Sequence, residues 1–246
     1  MQNRYFCRKL KIMQGKLFLI PTHLGNPNHP LTIPSEVATL TGRLRYFIVE
    51  NLRTARRYLR LLDPQMDIDH STFFILDKHT GPREYSSFLQ PLEDGHDIGI
   101  ISEAGCPGIA DPGAAIVKLA HQKGIKVVPM TGPSSILLAL MGSGMNGQNF
   151  AFNGYLPIDK HDRVKSIKHL ESRSIKEKQT QLFIEAPYRN NALVKDILGN
   201  CHPNTLLCIA CNLTLPDEFL ETRSVSSWKG KVPDLHKKPT IFLIQG

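Results

Sequence analysis

The chain has 246 residues, 41% of them hydrophobic, which is enough for one large domain or two ordinary domains with buried cores. Its formal net charge of +8 favours a polyanionic partner, although charge alone reports only non-specific attraction. No apolar run approaches the roughly 20 residues of a membrane span, and five cysteines at irregular spacing favour reduced thiols in the cytoplasm over a disulfide framework.

Residues 1–14 are basic and lack the apolar segment of a signal peptide. We expect them to be a disordered extension, or the result of a start codon assigned too early, with Met13 as the alternative start.

The first half of the chain alternates predicted strands with predicted helices. Strands are predicted at residues 16–21, 46–50, 72–76, 98–101 and 126–129. Helices are predicted at residues 34–40, 51–62, 82–92, 112–123 and 136–141. The second helix has Leu52, Ala55, Leu59 and Leu62 on one side. This alternation predicts a mostly parallel sheet with helices on both faces.

Three of these strands end in loops of small residues that carry little charge. The longest loop, 102–110, contains Gly105, Pro107 and Gly108 and ends at Asp111, which can cap the following helix. It is neither a GxGxxG fingerprint nor a P-loop. Each loop alone fits a tight turn as well as a ligand site. Because the carboxyl ends of parallel strands meet at one edge of a sheet, three such loops together favour a ligand site there.

The second half has a different pattern, beginning after a Gly- and Asn-rich linker at 142–149. Strands are predicted at 150–155, 181–185, 206–212, 218–223 and 240–245, with helices at 159–178 and up to about residue 198 and Trp228 on a short helix. Strands without regular intervening helices predict a mixed sheet. We therefore predict two α/β domains, residues 15–145 and 150–246, with a cofactor cleft between them.

Most common catalytic and metal-binding patterns are missing. Cys208 and Cys211 lie three apart in a predicted strand, so their side chains face opposite sides and cannot share a zinc ion. There is no GxSxG elbow, and Cys106 has no identifiable histidine partner. The charged groups near the predicted loops are carboxylates, on Glu50, Glu103, Asp111 and Glu185. Such a site suits a cofactor that brings its own reactivity.

Two basic segments have two interpretations each. The helix at 51–62 carries Arg53, Arg56, Arg57 and Arg60 on one face, and the helix at 159–178 is rich in Lys, Arg and His. Each face either is solvated or binds phosphate groups of a nucleic acid.

A set of motifs resembles a known family. In order they are PTHLGN (21–26), ENLR (50–53), SEAGCPGIADPG (102–113), GPSS (132–135), GYLP (154–157), EAPYR (185–189) and NLT (212–214). From residue 15 to the C-terminus the chain is similar to the tetrapyrrole methylase family, the class III S-adenosylmethionine-dependent methyltransferases. Within it, the chain most resembles the ribosomal RNA small-subunit methyltransferase I group, which methylates a cytidine ribose 2′-hydroxyl.

The resemblance implies two α/β domains, a homodimer, and S-adenosyl-L-methionine as cofactor. From the residues themselves we expect no metal and no membrane partner. In the first domain it implies cofactor contacts at Pro21, Leu24, Gly25, Glu103, Ala104, Gly105, Pro107, Ala110, Asp111, Gly113, Gly132, Pro133 and Ser134. In the second domain it implies contacts at Glu185, Pro187, Ala210, Asn212, Pro239 and Thr240.

We predict a methyltransferase that acts on ribosomal RNA, with the small ribosomal subunit as partner. Glu103 would line the methyl-donor pocket, Glu50 and Arg53 would face the acceptor, and one carboxylate would serve as general base. At ENLR and APYR the chain lacks an Asp and a His that are usual in the group. This departure motivates two alternatives: methylation of a tetrapyrrole or other small molecule, and a non-catalytic cofactor- or RNA-binding module.

Overall fold

The computed structural model describes residues 14–25, 32–77 and 80–246. Residues 1–13 of the predicted N-terminal extension and Asn26 of the first loop therefore lie outside the described residues. The described chain groups into two compact units, one of residues 14–23 and 32–133 and the other of residues 24–25 and 134–246.

The first unit contains a five-stranded parallel sheet. Its strands are β1 (Leu17–Ile20), β2 (Tyr46–Val49), β3 (Thr72–Ile75), β4 (Ile98–Ile101) and β5 (Val127–Pro129), in the order β3-β2-β4-β1-β5. Its helices are α1 (Ser35–Arg43), α2 (Leu52–Leu62), α3 (Pro82–Phe88), α4 (Gln90–Glu93) and α5 (Gly113–Gln122). The predicted parallel α/β architecture is confirmed.

Strand β4 lies at the centre of this sheet and is buried along its whole length. Ile98 and Ile100 pack on one face with Ile116 of α5, whereas Ile101 packs on the other face with Phe47. A side chain at Gly99 would place its Cβ 2.4 Å from Cδ1 of Ile20, so a larger residue there would require the buried Ile20 side chain to move. Both faces of the sheet are thus covered, as a parallel sheet requires.

Two helices of this unit differ from their predictions. Leu52 was expected on the buried side of α2, but it is 41% exposed, because this first helical residue lies at the edge of the sheet. The helix predicted at 82–92 is two helices that meet at Leu89. Pro91 explains the break, since proline cannot donate a helical hydrogen bond and clashes with the carbonyl four residues earlier.

The second unit contains a mixed five-stranded sheet, as predicted. Its strands are β6 (Phe150–Tyr155), β7 (Thr180–Ile184), β8 (Leu206–Cys211), β9 (Phe219–Ser224) and β10 (Thr240–Gln245), in the order β6-β7-β10-β8-β9. Strands β6 and β7 are parallel and the other pairs are antiparallel. Its helices are α6 (Ser135–Ser143), α7 (Lys160–Glu177), α8 (Asn190–Asn200) and α9 (Val225–Trp228), with a 3-10 turn at Pro187–Arg189.

Helix α6 groups with the second unit, although the sequence placed it in the first domain. Ala139 and Leu140 pack with Leu243 of β10, and a Cβ on Gly142 would come within 2.4 Å of Leu220 Cδ1 on β9. The division of the chain therefore follows Pro133 rather than the Gly-rich segment at 142–149. Hydrophobic periodicity predicts a helix but does not tell which sheet it covers.

The two cysteines of β8 occupy opposite faces of the second sheet. Cys208 packs in the core layer under α6, and Cys211 packs in the layer that contains Trp228. Both are free thiols, as are Cys106 and Cys201. The opposite orientation predicted from their spacing is confirmed.

Across the described residues, no helix combines the length and the apolar character that a membrane crossing requires.

Candidate functional site

The three small-residue loops of the first unit meet at the carboxyl edge of its sheet. Thr22 and Gly105 exchange two backbone hydrogen bonds, of 2.9 and 3.2 Å, which join the loop after β1 to the loop after β4. A Cβ on Gly132 would lie 2.2 Å from Cγ of Pro21, so glycine is required where the loop after β5 crosses the end of β1. The structure thus brings together the loops that the sequence placed at one edge.

Side chains fasten these loops further. The Cys106 thiol donates to the Pro133 carbonyl, with 3.5 Å between Sγ and O. The hydroxyl of Tyr58, on α2, donates to the Pro21 carbonyl at 2.6 Å, and burial raises the pKa of that hydroxyl. Cys106 therefore has a structural contact between two loops.

Three carboxylates approach one another beside these loops. Burial raises the pKa of the Glu50 carboxyl, the neighbouring carboxylates of Asp111 and Glu103 raise it further, and a hydrogen bond with the Glu103 backbone lowers it in part. Burial also raises the pKa of Asp111. Glu103 itself is held by Thr54, whose hydroxyl donates to Oε1 at 2.6 Å. A cluster of this kind favours a bound cation, because the cation offsets the repulsion among the carboxylates.

Asp111 also shapes the long loop. Its Oδ1 accepts from the backbone N–H groups of Gly108 and Gly113, at 2.7 and 2.8 Å. A Cβ on Gly113 would lie 3.0 Å from that oxygen, so glycine leaves room for the bond. Between these residues, Pro107 is buried and Ala110 is exposed with a φ of 60°.

Two other predicted residues of this unit stand apart from the contacts just described. Ala104 is exposed on the loop after β4. Arg53 is exposed at the start of α2, where its backbone N–H donates to the Asn51 cap at 2.9 Å. Among the described residues, the Arg53 side chain forms no ion pair with the carboxylates.

A second group of predicted residues meets at an edge of the second sheet, centred on Glu185. Its Oε1 accepts from the Ala186 backbone N–H and from Arg189 Nη2, both at 2.6 Å. Its Oε2 is buried and has no hydrogen-bond partner among the described residues. An unpartnered buried carboxylate oxygen is costly unless a ligand donates to it.

The other predicted residues of the second unit surround this edge. Asn212 N–H donates to the Pro239 carbonyl at 2.9 Å, and Asn190 Nδ2 donates to Lys238 O at 2.8 Å and to Thr240 Oγ1 at 3.3 Å. Ala210 pairs with Ile241 in the sheet, and the Pro187 carbonyl accepts from Lys237 N–H at 3.0 Å. Elsewhere in this unit, Ser134 caps α6, and the Leu215 side chain lies 3.5 Å from a Cβ built on Gly25. Leu24, next to Gly25, is half-buried.

Strained backbone conformations occur in these segments. Ala110, Asn212 and Thr214 have φ values of 60°, 51° and 73°, in the left-handed region that favours glycine. Each costs on the order of 1–3 kcal/mol, and such strain concentrates at ligand-binding and catalytic sites.

Sequence reasoning missed several residues that complete these sites. Thr54 holds Glu103, Arg189 holds Glu185, and Asn190 fastens the residues before β10. Thr22 has a buried Oγ1 without a partner in the described residues. The helical spacing of Thr54 from the Asn51 cap was visible, but its contact with a residue 49 positions away was not.

Related proteins align with this chain over nearly its whole length. A protein of Leptospira borgpetersenii named ribosomal RNA small subunit methyltransferase I is 30% identical over 237 residues, covering 92% of this chain and 83% of the relative. The chain belongs to the ribosomal RNA small subunit methyltransferase I family. A relative of the same name from Escherichia coli O157:H7 is 27% identical over 239 residues, covering 95% of this chain and 78% of the relative.

A solved structure shows the same fold. The methyltransferase CobJ superposes with a TM-score of 0.62 at 14% sequence identity, with 94% of each chain covered. The tetrapyrrole methylase-like fold predicted from the motifs is confirmed. No family model matches the chain.

As a member of this family, the protein is an S-adenosylmethionine-dependent methyltransferase. The residues present fit that cofactor. Its sulfonium cation suits the carboxylates of Asp111 and Glu103 beside the first-unit loops, because a cation offsets the repulsion within the cluster that they form with Glu50. Within the first unit, the Oγ1 of Thr22, unpartnered among the described residues, suits a hydroxyl or amino group of such a ligand.

One further cluster of possible metal ligands is found in the described residues. Asp159, His161 and Asp162 bring one ligand atom each within 4.8 Å of one another, and all three are exposed. Asp159 caps helix α7 by accepting from the Asp162 N–H at 3.1 Å, which accounts for its position.

Proposed function

We propose that the methyl acceptor of this enzyme is ribosomal RNA of the small subunit, and that the acceptor group is the 2′-hydroxyl of a cytidine ribose. Two observations support the RNA acceptor. The relatives that align with most of the chain are named as ribosomal RNA methyltransferases, and the chain has a formal charge of +8. The observation that carries the proposal is the carboxylate cluster, because a hydroxyl acceptor must lose a proton during methyl transfer.

S-adenosylmethionine supplies an electrophilic methyl group when it is bound. We assign it, in the first unit, to Pro21, Glu103, Ala104, Gly105, Pro107, Ala110, Asp111, Gly113, Gly132 and Pro133. In the second unit we assign it to Leu24, Gly25, Ser134, Glu185, Pro187, Ala210, Asn212, Pro239 and Thr240. The first-unit loops lack bulky side chains, so their backbone groups can reach the cofactor. Glu185 Oε2 has no partner within the described residues and is free to accept a hydrogen bond from the cofactor.

Glu50 is assigned as the general base. A raised pKa brings a carboxylate nearer to neutral pH, which strengthens it as a proton acceptor while it stays ionised. Glu103, held by Thr54, faces the positive charge of the donor, and Arg53 contacts the phosphate backbone of the acceptor. Positioning by these residues supplies several kcal/mol of the barrier reduction.

Incubation with methyl-labelled S-adenosylmethionine and small ribosomal subunits of the same organism tests the acceptor. We expect label in 16S rRNA, recovered as 2′-O-methylcytidine after digestion to nucleosides. Label in a small-molecule fraction would instead support a tetrapyrrole-type acceptor, and no label in either would support a non-catalytic module. Label in rRNA at another nucleoside would refute the cytidine assignment alone.

Carboxylate variants test the assigned roles. Glu103→Gln should weaken cofactor binding or turnover, and unchanged values for both would remove Glu103 from the site. Glu36→Gln is the matched control, because Glu36 is an exposed carboxylate in the first turn of α1.

We also propose that the enzyme is a cytoplasmic homodimer. Free thiols at the four described cysteines support a reducing compartment. Leu137 and Met141 are 51% and 77% exposed one turn apart on α6, which supports an apolar contact between two copies. Light scattering of the wild type and of Met141→Lys tests this contact. A dimer that Met141→Lys leaves intact would exclude this face as the contact, and a wild-type monomer would exclude the dimer.

A further inference from the structure

The second unit has a groove that the methyl-donor site does not use. It has a volume of about 350 Å³ and lies where the end of β6 meets the first half of α7. Its lining includes the side chains of Asn153, Tyr155, Lys165 and His169.

A β-bulge presents the aromatic side chain of the groove. The pairing of β6 with β7 shifts between Phe152 and Tyr155, and Gly154 has a φ of +65° that side chains rarely allow. Bulges are rare between parallel strands and re-aim the side chains that follow them. After the bulge Leu156 enters the core, whereas Tyr155 is 62% exposed.

The backbone after Tyr155 is firmly held. Arg163 Nη1 donates to the Ile158 carbonyl at 2.7 Å, and its Nε and Nη2 donate to Asp196 at 2.8 and 2.6 Å. Asp159 caps α7 at the end of the same segment. The backbone between Tyr155 and α7 is therefore preorganised, which lowers the entropy lost when a ligand binds.

The opposite wall is basic and polar. Lys165 and His169 lie one turn apart on α7 and are exposed, and Lys165 forms no ion pair with any residue that the structure describes. Asn153 uses its Nδ2 for Gln181 Oε1 and Leu182 O, at 3.1 and 3.2 Å, so its amide oxygen remains an acceptor. The groove thus combines an aromatic face, a cation, a ring N–H donor and an amide acceptor.

From this combination we infer that the groove binds one nucleotide of a single-stranded RNA segment, with its base on Tyr155 and its phosphate at Lys165 and His169. Stacking on an aromatic ring beside a cation is the usual chemistry of single-strand recognition. The inference rests on the proposed RNA acceptor and adds a contact surface in the second unit. Exposed Lys160 and Lys168 extend the positive charge along the same helix.

Fluorescence anisotropy with a labelled RNA of about 12 unpaired nucleotides tests the groove. Tyr155→Ala should weaken binding about 5- to 150-fold, the range for one stacked base, and Tyr155→Phe should retain binding. Lys165→Ala should weaken binding and lower the slope of log affinity against log salt by about 0.7, the value for one lost phosphate contact on a single strand. Lys195→Ala, an exposed lysine of α8 outside the lining, is the charge-matched control and should change little.

Wild-type affinity in both Tyr155→Ala and Lys165→Ala would overturn the inference, as would an equal loss in Lys195→Ala. The inference would also be overturned if poly-glutamate displaced the labelled RNA as well as unlabelled RNA does, because the surface would then bind any polyanion. The proposed function has a separate readout, since methyl transfer to small-subunit RNA is measured independently. If the wild type methylates small-subunit RNA but Tyr155→Ala binds RNA as tightly as the wild type, only the groove is refuted. If Tyr155→Ala weakens RNA binding but the wild type does not methylate small-subunit RNA, only the acceptor is refuted.

Discussion

The ion pair of Arg163 and Asp196 fastens two helices of the second unit and the segment before α7. Each side chain is 9% exposed, and the guanidinium makes two bonds to one carboxylate oxygen and one to the Ile158 carbonyl. Removing one partner of a buried pair costs about 3–5 kcal/mol, because the other charge is left without compensation.

The two single variants should differ in their pH dependence. In Asp196→Asn the guanidinium stays buried and charged, so the cost of about 3–5 kcal/mol should be the same at pH 5 and pH 7. In Arg163→Met the remaining carboxylate can take up a proton. Protonating an ordinary aspartate costs about 4 kcal/mol at pH 7 but only about 1.5 kcal/mol at pH 5. This cost is the upper limit on the destabilisation of Arg163→Met, so the variant should lose less stability at pH 5 than at pH 7.

Urea unfolding followed by tryptophan fluorescence measures these costs. Trp228 is the only tryptophan in the chain and is fully buried in the second unit, so its emission reports on that unit. A double variant, Arg163→Met with Asp196→Leu, completes a cycle and should be more stable than either single variant.

Three outcomes would refute this reasoning. They are a destabilisation under 1 kcal/mol in both single variants, a pH-independent cost in Arg163→Met, and additive costs in the double variant.

Three further variants or treatments test the first unit. Glu50→Gln should lower kcat about 10²- to 10⁴-fold and remove the acid limb of the pH–rate profile. In the wild type that limb arises because activity is lost as pH falls through the pKa of Glu50, which burial, Asp111 and Glu103 raise above the ordinary glutamate value. Alkylation of the Cys106 thiol, followed by mass spectrometry, should be slower than that of a free cysteine at the same pH, since burial raises its pKa. Asn51→Ala should destabilise the first unit by about 1 kcal/mol in urea unfolding followed by circular dichroism, because Asn51 caps α2, whereas Asn51→Ser should retain most of the stability.

Each of these has a contradicting result. An unchanged acid limb in Glu50→Gln would place the base elsewhere. Alkylation of Cys106 at the rate of free cysteine would contradict its burial against Pro133. Equal stability of Asn51→Ala and the wild type would show that the cap carries no stability.

The sequence predicted the strands and the meeting of the three loops because these depend on local patterns. Apolar β-branched residues such as Ile98 and Ile100 predict a buried strand, and parallel strands bring their carboxyl ends to one edge. The opposite orientation of Cys208 and Cys211 followed from the period of two in a strand.

The sequence could not predict contacts that depend on tertiary packing. Thr54 reaches Glu103 across 49 positions, and Arg163 reaches Asp196 across 33. The bulge at Gly154 leaves no mark in the hydrophobic pattern, so the exposure of Tyr155 was not predicted. The packing of α6 on the second sheet likewise depends on side-chain volumes, such as that of Leu220 against Gly142.

Calorimetric titration with S-adenosylmethionine tests most directly whether the strand-end loops and their carboxylates hold the methyl donor. A cation beside Asp111 favours its ionised form, so binding should release protons and affinity should fall as pH decreases through the raised pKa of Asp111. We expect one site per chain, with proton release detected as a binding heat that varies with the ionisation enthalpy of the buffer. Absence of binding would contradict this assignment. Unchanged affinity in Asp111→Asn together with no proton release by the wild type would contradict it as well.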